Sequence, residues 1–169
     1  MHDAVHHTKL CLTTERYFHT LHVTLSTRQA ATADRDFLYE LHVATMRDYV
    51  DRTWGWDEQA QRRMFDQHFE PSRIEVIELD GRAIGMQVIG LDDASIELGN
   101  IEIAPEHQGH GYGTTLIRRV LERGSATGRR VRLQVLKVNP ARQLYERIGF
   151  ELAGETATHY LMEWSPTVS

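Results

Sequence analysis

Leu21, Val23 and Leu25 alternate with polar residues, which is the period-two signature of a half-buried strand. The period then lengthens. Phe37, Leu38, Leu41, Ala44 and Thr45 recur at helical spacing, so a helix is expected to about residue 49, with Thr32 as its cap and Asp34 opposing the dipole of its first turn. Trp54-Gly55-Trp56 interrupts that pattern. Asp57 can cap a second helix reaching about His68, with Met64 and Phe65 on its inner face. From Arg73 to Leu79 alternation returns, and Asp80-Gly81 is a strong two-residue hairpin signal. Ala83 to Leu91 is the return strand, Asp92-Asp93 a further turn, and Ser95 to Ala104 a long strand that stops at Pro105.

A glycine loop follows, then a helix from about Gly111 to Thr127. Leu116, Ile117, Val120 and Leu121 form its apolar stripe, and Gly128 ends it. Val131, Leu133 and Val135 alternate as a strand. Pro140 suits the first turn of a helix carrying Ala141, Leu144, Tyr145 and Ile148, which stops at Gly149. A last strand covers about Leu152 to Trp164, broken near Gly154–Ala157. The order strand, two helices, three meandering strands, helix, strand, helix, strand predicts a mixed α/β sheet with antiparallel hairpins and helical crossovers. The unit across 95–127 is where a ligand belongs, at the carboxyl end of a strand.

Composition narrows the class. At 169 residues the chain fits one domain, and 41% hydrophobic with 25% charged residues is ordinary for a globular protein. One domain is expected over 21–165. Residues 1–20 are polar and rich in histidine (His2, His6, His7, His19) and read as a loosely ordered extension; no convergent ligand set points to a metal. A net charge of -5 gives no global attraction for nucleic acid or an anionic membrane. Arg118, Arg119, Arg123, Arg129, Arg130 and Arg132 crowd one region and read as a solvated helix face and strand start. The single cysteine, Cys11, excludes an intramolecular disulfide. No apolar run approaches the ~20 residues of a membrane span, and the start lacks a signal-peptide pattern, so a cytoplasmic protein is expected.

The chemistry gathers in Gln108-Gly109-His110-Gly111-Tyr112-Gly113. Glycines at alternate positions let successive N–H groups point into one concavity at a helix N-terminus, which binds phosphates without lysine. The loop is not a P-loop, because no Lys-Ser/Thr follows its last glycine. It is not a dinucleotide fingerprint either, because the G-x-x-G spacing is missing and three meandering strands precede it.

The run from Ile101 to Gly113, with its Gln108-x-x-Gly111-x-Gly113 core, resembles the acetyl-CoA motif of the GNAT superfamily. Asn139 to Phe150 resembles that family's second motif. Both occur in order, about 30 residues apart, and the resemblance covers about residues 22–164. It implies a mixed, mostly antiparallel central sheet of six to seven strands with about four helices and a splayed pair of central strands that admits the pantetheine arm of acetyl-CoA. It also implies that the backbone of Ile101 and Ile103 pairs with that arm, and that the N–H groups of Gln108, Gly109, His110, Gly111, Tyr112, Gly113 and Thr114 hold the diphosphate. Asn139 would bond the pantetheine or hold the splay, Arg142 would approach a CoA phosphate, and Tyr145 would lie near the thioester sulfur.

The implied reaction is transfer of an acetyl group to a primary amine by direct attack. A tyrosine hydroxyl can protonate a departing thiolate, which suits Tyr145, although Ala141, Leu144, Tyr145 and Ile148 also share a core-facing stripe. The base stays open between Glu102 and Glu97. Alternation puts the two on opposite faces unless a bulge intervenes. Gln134 stands where some relatives carry a glutamate, and an amide cannot take a proton. Trp54, Trp56, Asp57 and His159 are the expected acceptor-binding residues, with two tryptophans suited to an apolar or cation-binding wall. The acceptor is expected to be a small-molecule amine; a protein N-terminus or lysine, or a non-catalytic acyl-CoA sensor, are the alternatives. No metal, nucleic acid or membrane partner is expected, and homodimer formation stays open.

Overall fold

The computed structural model describes residues 23–167. The expected extension over 1–20 and the start of the first predicted strand at Leu21 lie outside them. Asp80 and Gly81 form the two-residue turn their sequence calls for, both at positive φ (51° and 76°), and join β2 (Ile74–Leu79) to β3 (Arg82–Leu91). With β1 (Leu25–Gln29), β4 (Ser95–Ile103), β5 (Arg130–Leu136), β6 (Glu151–Glu155) and β7 (His159–Trp164), these make one seven-stranded sheet in the order β1-β2-β3-β4-β5-β7-β6. Every neighbouring pair is antiparallel except β4 with β5.

Four helices cover the sheet: α1 (Arg35–Trp54), α2 (Glu58–His68), α3 (Tyr112–Thr127) and α4 (Ala141–Ile148). Leu38 and Leu41 of α1, with Phe65 of α2, pack on Ile74, Val76 and Met86 on one face. On the other, Ile117, Val120 and Leu121 of α3 and Tyr145 of α4 pack on Ile96, Leu98, Val131 and Leu133. Burying each such side chain contributes about 1.5–3 kcal/mol, so the two apolar stripes clamp the sheet between the helix pairs.

Several local expectations change. Val23 is exposed and precedes the first strand. Thr32 does not cap α1. It opens a 3-10 turn, Thr32–Asp34, in which the Asp34 carboxylate accepts from Ala31 N–H at 2.8 Å and from Arg28. That Arg28 bond holds the Asp34 carboxyl down at about 2. Ala44 is exposed. Helix α1 runs past residue 49 because Val50 is still buried, and Gly55 at φ 84° ends it. Met64 is 53% exposed and not packed into the core as Phe65 is, although it borders a cavity between α2 and the sheet. The last strand is a hairpin of two strands, with the turn falling at residues 156–158.

The centre of the sheet is irregular where the site lies. Val88 pairs with Asn100 but Ile89 pairs with Leu98, so Gly99 is an extra residue in β4. The β4–β5 ladder runs from Ser95–Arg130 to Leu98–Leu133 and goes no further. Beyond it, Asn100 to Ile103 pairs with β3 alone, and Gln134 to Leu136 pairs with β7 alone. This is the splayed central pair.

Gly85 allows β3 to press against the splayed segment. A Cβ there would run into the carbonyl oxygen of Glu102 and touch Ile77 at 3.2 Å. Gly85→Ala is expected to cost about 1–3 kcal/mol, read as a lower urea midpoint at unchanged slope.

Candidate active site

The splay opens into a cleft of about 560 Å³ lined by the glycine loop, Ile101, Glu102 and Ile103 of β4, Asn139, and Tyr145 of α4. A smaller cavity of about 200 Å³ continues from it toward α1, reaching His42, Trp54, Gln134 and His159. Met46, Ile101, Glu102, Asn139 and Tyr145 line both, so the two spaces meet at these side chains. A third cavity of about 530 Å³ lies between α2 and the sheet and shares His42, Gly99 and Asn100 with the second.

The glycine loop makes an anion cradle from backbone. Gly109 and Gly111 hold φ of 77° and 83°, a region that favours glycine. Gln108 ties the loop to β4 by donating from Nε2 to the Ile103 carbonyl at 2.8 Å. His110 stacks on Tyr112 with ring centroids 5.8 Å apart. The Gln108 N–H, expected in the cradle, is taken by the Pro105 carbonyl at 3.2 Å; those from Gly109 to Thr114 meet no acceptor among the described residues, whereas that of Thr115 already bonds Gly111. Helix α3 begins at Tyr112, so its dipole adds to the same positive concavity.

Glu102 is the buried charge of the site, its side chain only 2% exposed. Oε1 accepts from His42 Nδ1 and from Asn100 Nδ2, both at 3.0 Å, and the Thr45 hydroxyl lies 2.7 Å from Oε2. The extra residue at Gly99 aligns Glu97 and Glu102 on one face, opposite Gly90 and Met86 of β3. They still do not come together. Glu97 sits in the paired part of β4 opposite Arg132, and it lines none of the three cavities.

Tyr145 is 9% exposed and packs edge-on against Phe150. Its hydroxyl has no hydrogen bond among the described residues, and burial pushes its pKa up to about 12. Asn139 accepts from Ala141 N–H through Oδ1 at 2.9 Å, so it holds the start of α4 while its amide nitrogen is left for the cleft. Arg142 is turned away, bonded to Glu146 at 2.7 Å and stacked 4.1 Å from the Tyr160 ring centroid; Arg147 is the α4 cation that lines the cleft. Trp54 and His159 stand 5.9 Å apart at the second cavity. Trp56 and Asp57 line none of these three cavities. Trp56 Nε1 bonds Glu58, and Asp57 caps α2 by accepting from Ala60 N–H. His42 and Asn100 carry no signal in the sequence, and Thr45 reads there only as part of the helix stripe. Spacing of three on a helix puts His42 and Thr45 side by side, but only the fold shows that a buried carboxylate lies opposite.

The family model described as acetyltransferase (GNAT) family matches residues 35–150, and the chain belongs to that family, whose reaction is acetyl transfer from acetyl-CoA. Solved structures share the fold. A PaiA N-acetyltransferase from Thermoplasma acidophilum, in complex with coenzyme A, superposes with a TM-score of 0.69 at 16% identity, covering 84% of this chain and 99% of its own. An acetyltransferase from Thermus thermophilus gives 0.67 at 18% identity, covering 84% and 97%. An N-acetyltransferase from Staphylococcus aureus gives 0.64 at 15%, covering 82% and 100%. No curated protein matches the chain in sequence.

Replacing Gly111, the residue before α3, with alanine forces a side chain into the left-handed region at a cost of about 1–2 kcal/mol. Gly111→Ala is expected to weaken acetyl-CoA binding in calorimetry by up to about tenfold, because the free loop relieves the strain by leaving the conformation that aims its N–H groups and binding must restore it.

Proposed function

We propose that the protein transfers the acetyl group of acetyl-CoA to the primary amine of a small molecule, by direct attack while both substrates are bound. The junction of the first two cavities carries this reading: one buried carboxylate and one unbonded phenol meet where the sheet has parted. The residues present suit the donor. Unpaired N–H groups from Gly109 to Thr114 fit a diphosphate, Arg147 adds a cation, and the one-sided backbone of Ile101 and Ile103 fits the amides of a pantetheine arm.

In this reading the amine approaches from the α1 side, past Trp54 and His159, through a cavity too small for a folded partner. An exposed indole face near an imidazole suits an ammonium group before it loses its proton. The amine nitrogen attacks the thioester carbonyl, the C–N bond forms, and the C–S bond breaks with its electrons on sulfur. Tyr145 donates to that sulfur. A pKa of about 12 keeps the phenol protonated at neutral pH, as a donor must be; a thiolate whose conjugate acid lies near 8.5 is the weaker base, so the phenol stabilises the departing sulfur by donating a hydrogen bond as the C–S bond breaks, and solvent restores any proton the phenol gives up. Proton removal from the amine is centred on Glu102 and the side chains bonded to it, since Glu97 lines none of the three cavities. Among the described residues no helix is long and apolar enough to cross a membrane.

The test is thiol release from acetyl-CoA against a panel of amines, with Cys11→Ser as the control for background thiol. Tyr145→Phe is expected to lower kcat by about 10²-fold or more, with acetyl-CoA affinity unchanged by calorimetry. Because burial holds Tyr145 near 12, ionisation of this phenol should not lower wild-type kcat at pH 10, where an ordinary tyrosine is half ionised. Acetyl-CoA binding without turnover on any amine or on peptide N-termini would make the protein a sensor.

A further inference from the structure

We propose that His42 takes the proton from the acceptor amine, and that Glu102 is a positioning residue acting through it. The inference rests on the acetyl-transfer reading and changes who does the proton chemistry within it.

The crowding of Glu102 is the reason. Oε1 already faces two N–H donors at 3.0 Å, the Thr45 hydroxyl stands 2.7 Å from Oε2, and the side chain is 2% exposed. With three contacts on its oxygens and its side chain almost fully buried, the carboxylate offers an incoming ammonium little open approach. His42 offers the accessible atom instead. Its side chain is 18% exposed, and it lines both the 200 Å³ and the 530 Å³ cavities. With Nδ1–H donating to Glu102, Nε2 carries the free lone pair, and it has no partner among the described residues. The Phe65 ring, 6.2 Å away by centroid, flanks the imidazole and helps fix its plane. Tyr145 lies across the same small cavity, reaching it from α4 on the other face of the sheet. The arrangement puts a proton acceptor and a proton donor on opposite sides of the splay.

The protons balance as follows. The bound ammonium gives one proton to His42 Nε2, and the imidazolium so formed is stabilised by the Glu102 carboxylate until it passes that proton to solvent. The neutral amine then forms the C–N bond as the C–S bond breaks. The nitrogen loses its second proton to solvent, and the sulfur gains one from Tyr145, which is reprotonated. The sum is amide, CoA thiol and one released proton per ammonium consumed.

Other titratable groups face the same spaces: Glu102 from β4, Tyr145 from α4, His159 from β7, His68 from α2, and Glu70 with Arg73 at the start of β2. They are common to wild type and variant, as is the amine's own titration, so a difference between the two isolates His42.

The experiment measures kcat against pH at saturating acetyl-CoA with three probes: phenethylamine and L-phenylalaninamide, whose rings suit the Trp54 wall of the 200 Å³ cavity, and spermidine as a polar contrast. Wild type is expected to show an acid limb that His42→Gln removes, with the plateau lowered about 10²-fold and acetyl-CoA affinity unchanged. Added imidazole is expected to restore activity to His42→Ala. Glu102→Gln is expected to keep an acid limb with a lowered plateau, because the imidazole loses the carboxylate that orients it. An unaltered acid limb in His42→Gln would overturn the assignment while leaving the transfer reaction standing. So would His42→Ala activity indifferent to imidazole, or loss of acetyl-CoA binding in both His42 variants, which would mark a structural residue. If wild type releases no thiol with any of the three amines, the transfer reading itself fails and the assignment goes with it.

Discussion

Everything at this site depends on one ladder of hydrogen bonds ending early. Two parallel strands that pair at four positions and then part leave the interior of a sheet with edges, where backbone N–H and carbonyl groups face a gap in place of each other. Such groups cannot stay buried and idle. Parting them is tolerable only because each strand keeps its other neighbour, β3 for one and β7 for the other, and because apolar side chains from opposite helix layers hold the sheet at both ends of the gap. The cleft is therefore a property of the sheet, and the side chains furnish it.

The extra residue at Gly99 does the complementary work. It shifts the register of β4 against β3, so the residues beyond it present Asn100 and Glu102 toward α1. A carboxylate turned that way under a helix would be costly if bare. His42, Thr45 and Asn100 offset that cost, and α1 supplies two of them because it lies across β4. Helix placement, strand bulge and carboxylate burial are thus one linked solution.

The family could be read from the chain because its two motifs are local: a glycine loop and an Asn-Pro-led helix carry their geometry in consecutive residues. Strand and helix order followed from periodicity for the same reason. What could not be read is what depends on register between distant segments. Nothing at residue 42 announces a carboxylate at residue 102, since the contact is set by how α1 lies across β4. The bulge that aligns Glu97 with Glu102 was foreseeable as a type, but which glutamate reaches the cavities depends on where pairing with β5 stops. Arg142 and Arg147 are a similar case. They differ by about half a helical turn more than one full turn, and only the packed orientation of α4 shows that the second faces the cleft.

The donor cradle has a chemical consequence of its own. In its proposed role it would hold negative charge with peptide N–H groups, which do not titrate and are not nucleophiles. A lysine there would be an amine lying alongside a reactive thioester. The whole chain carries two lysines, Lys9 and Lys137, and the second is engaged with Glu155 and Tyr160. Nearly all of its positive charge is guanidinium, which an acyl thioester leaves alone. A molecule built this way can keep an activated acetyl group at its centre without becoming its own substrate.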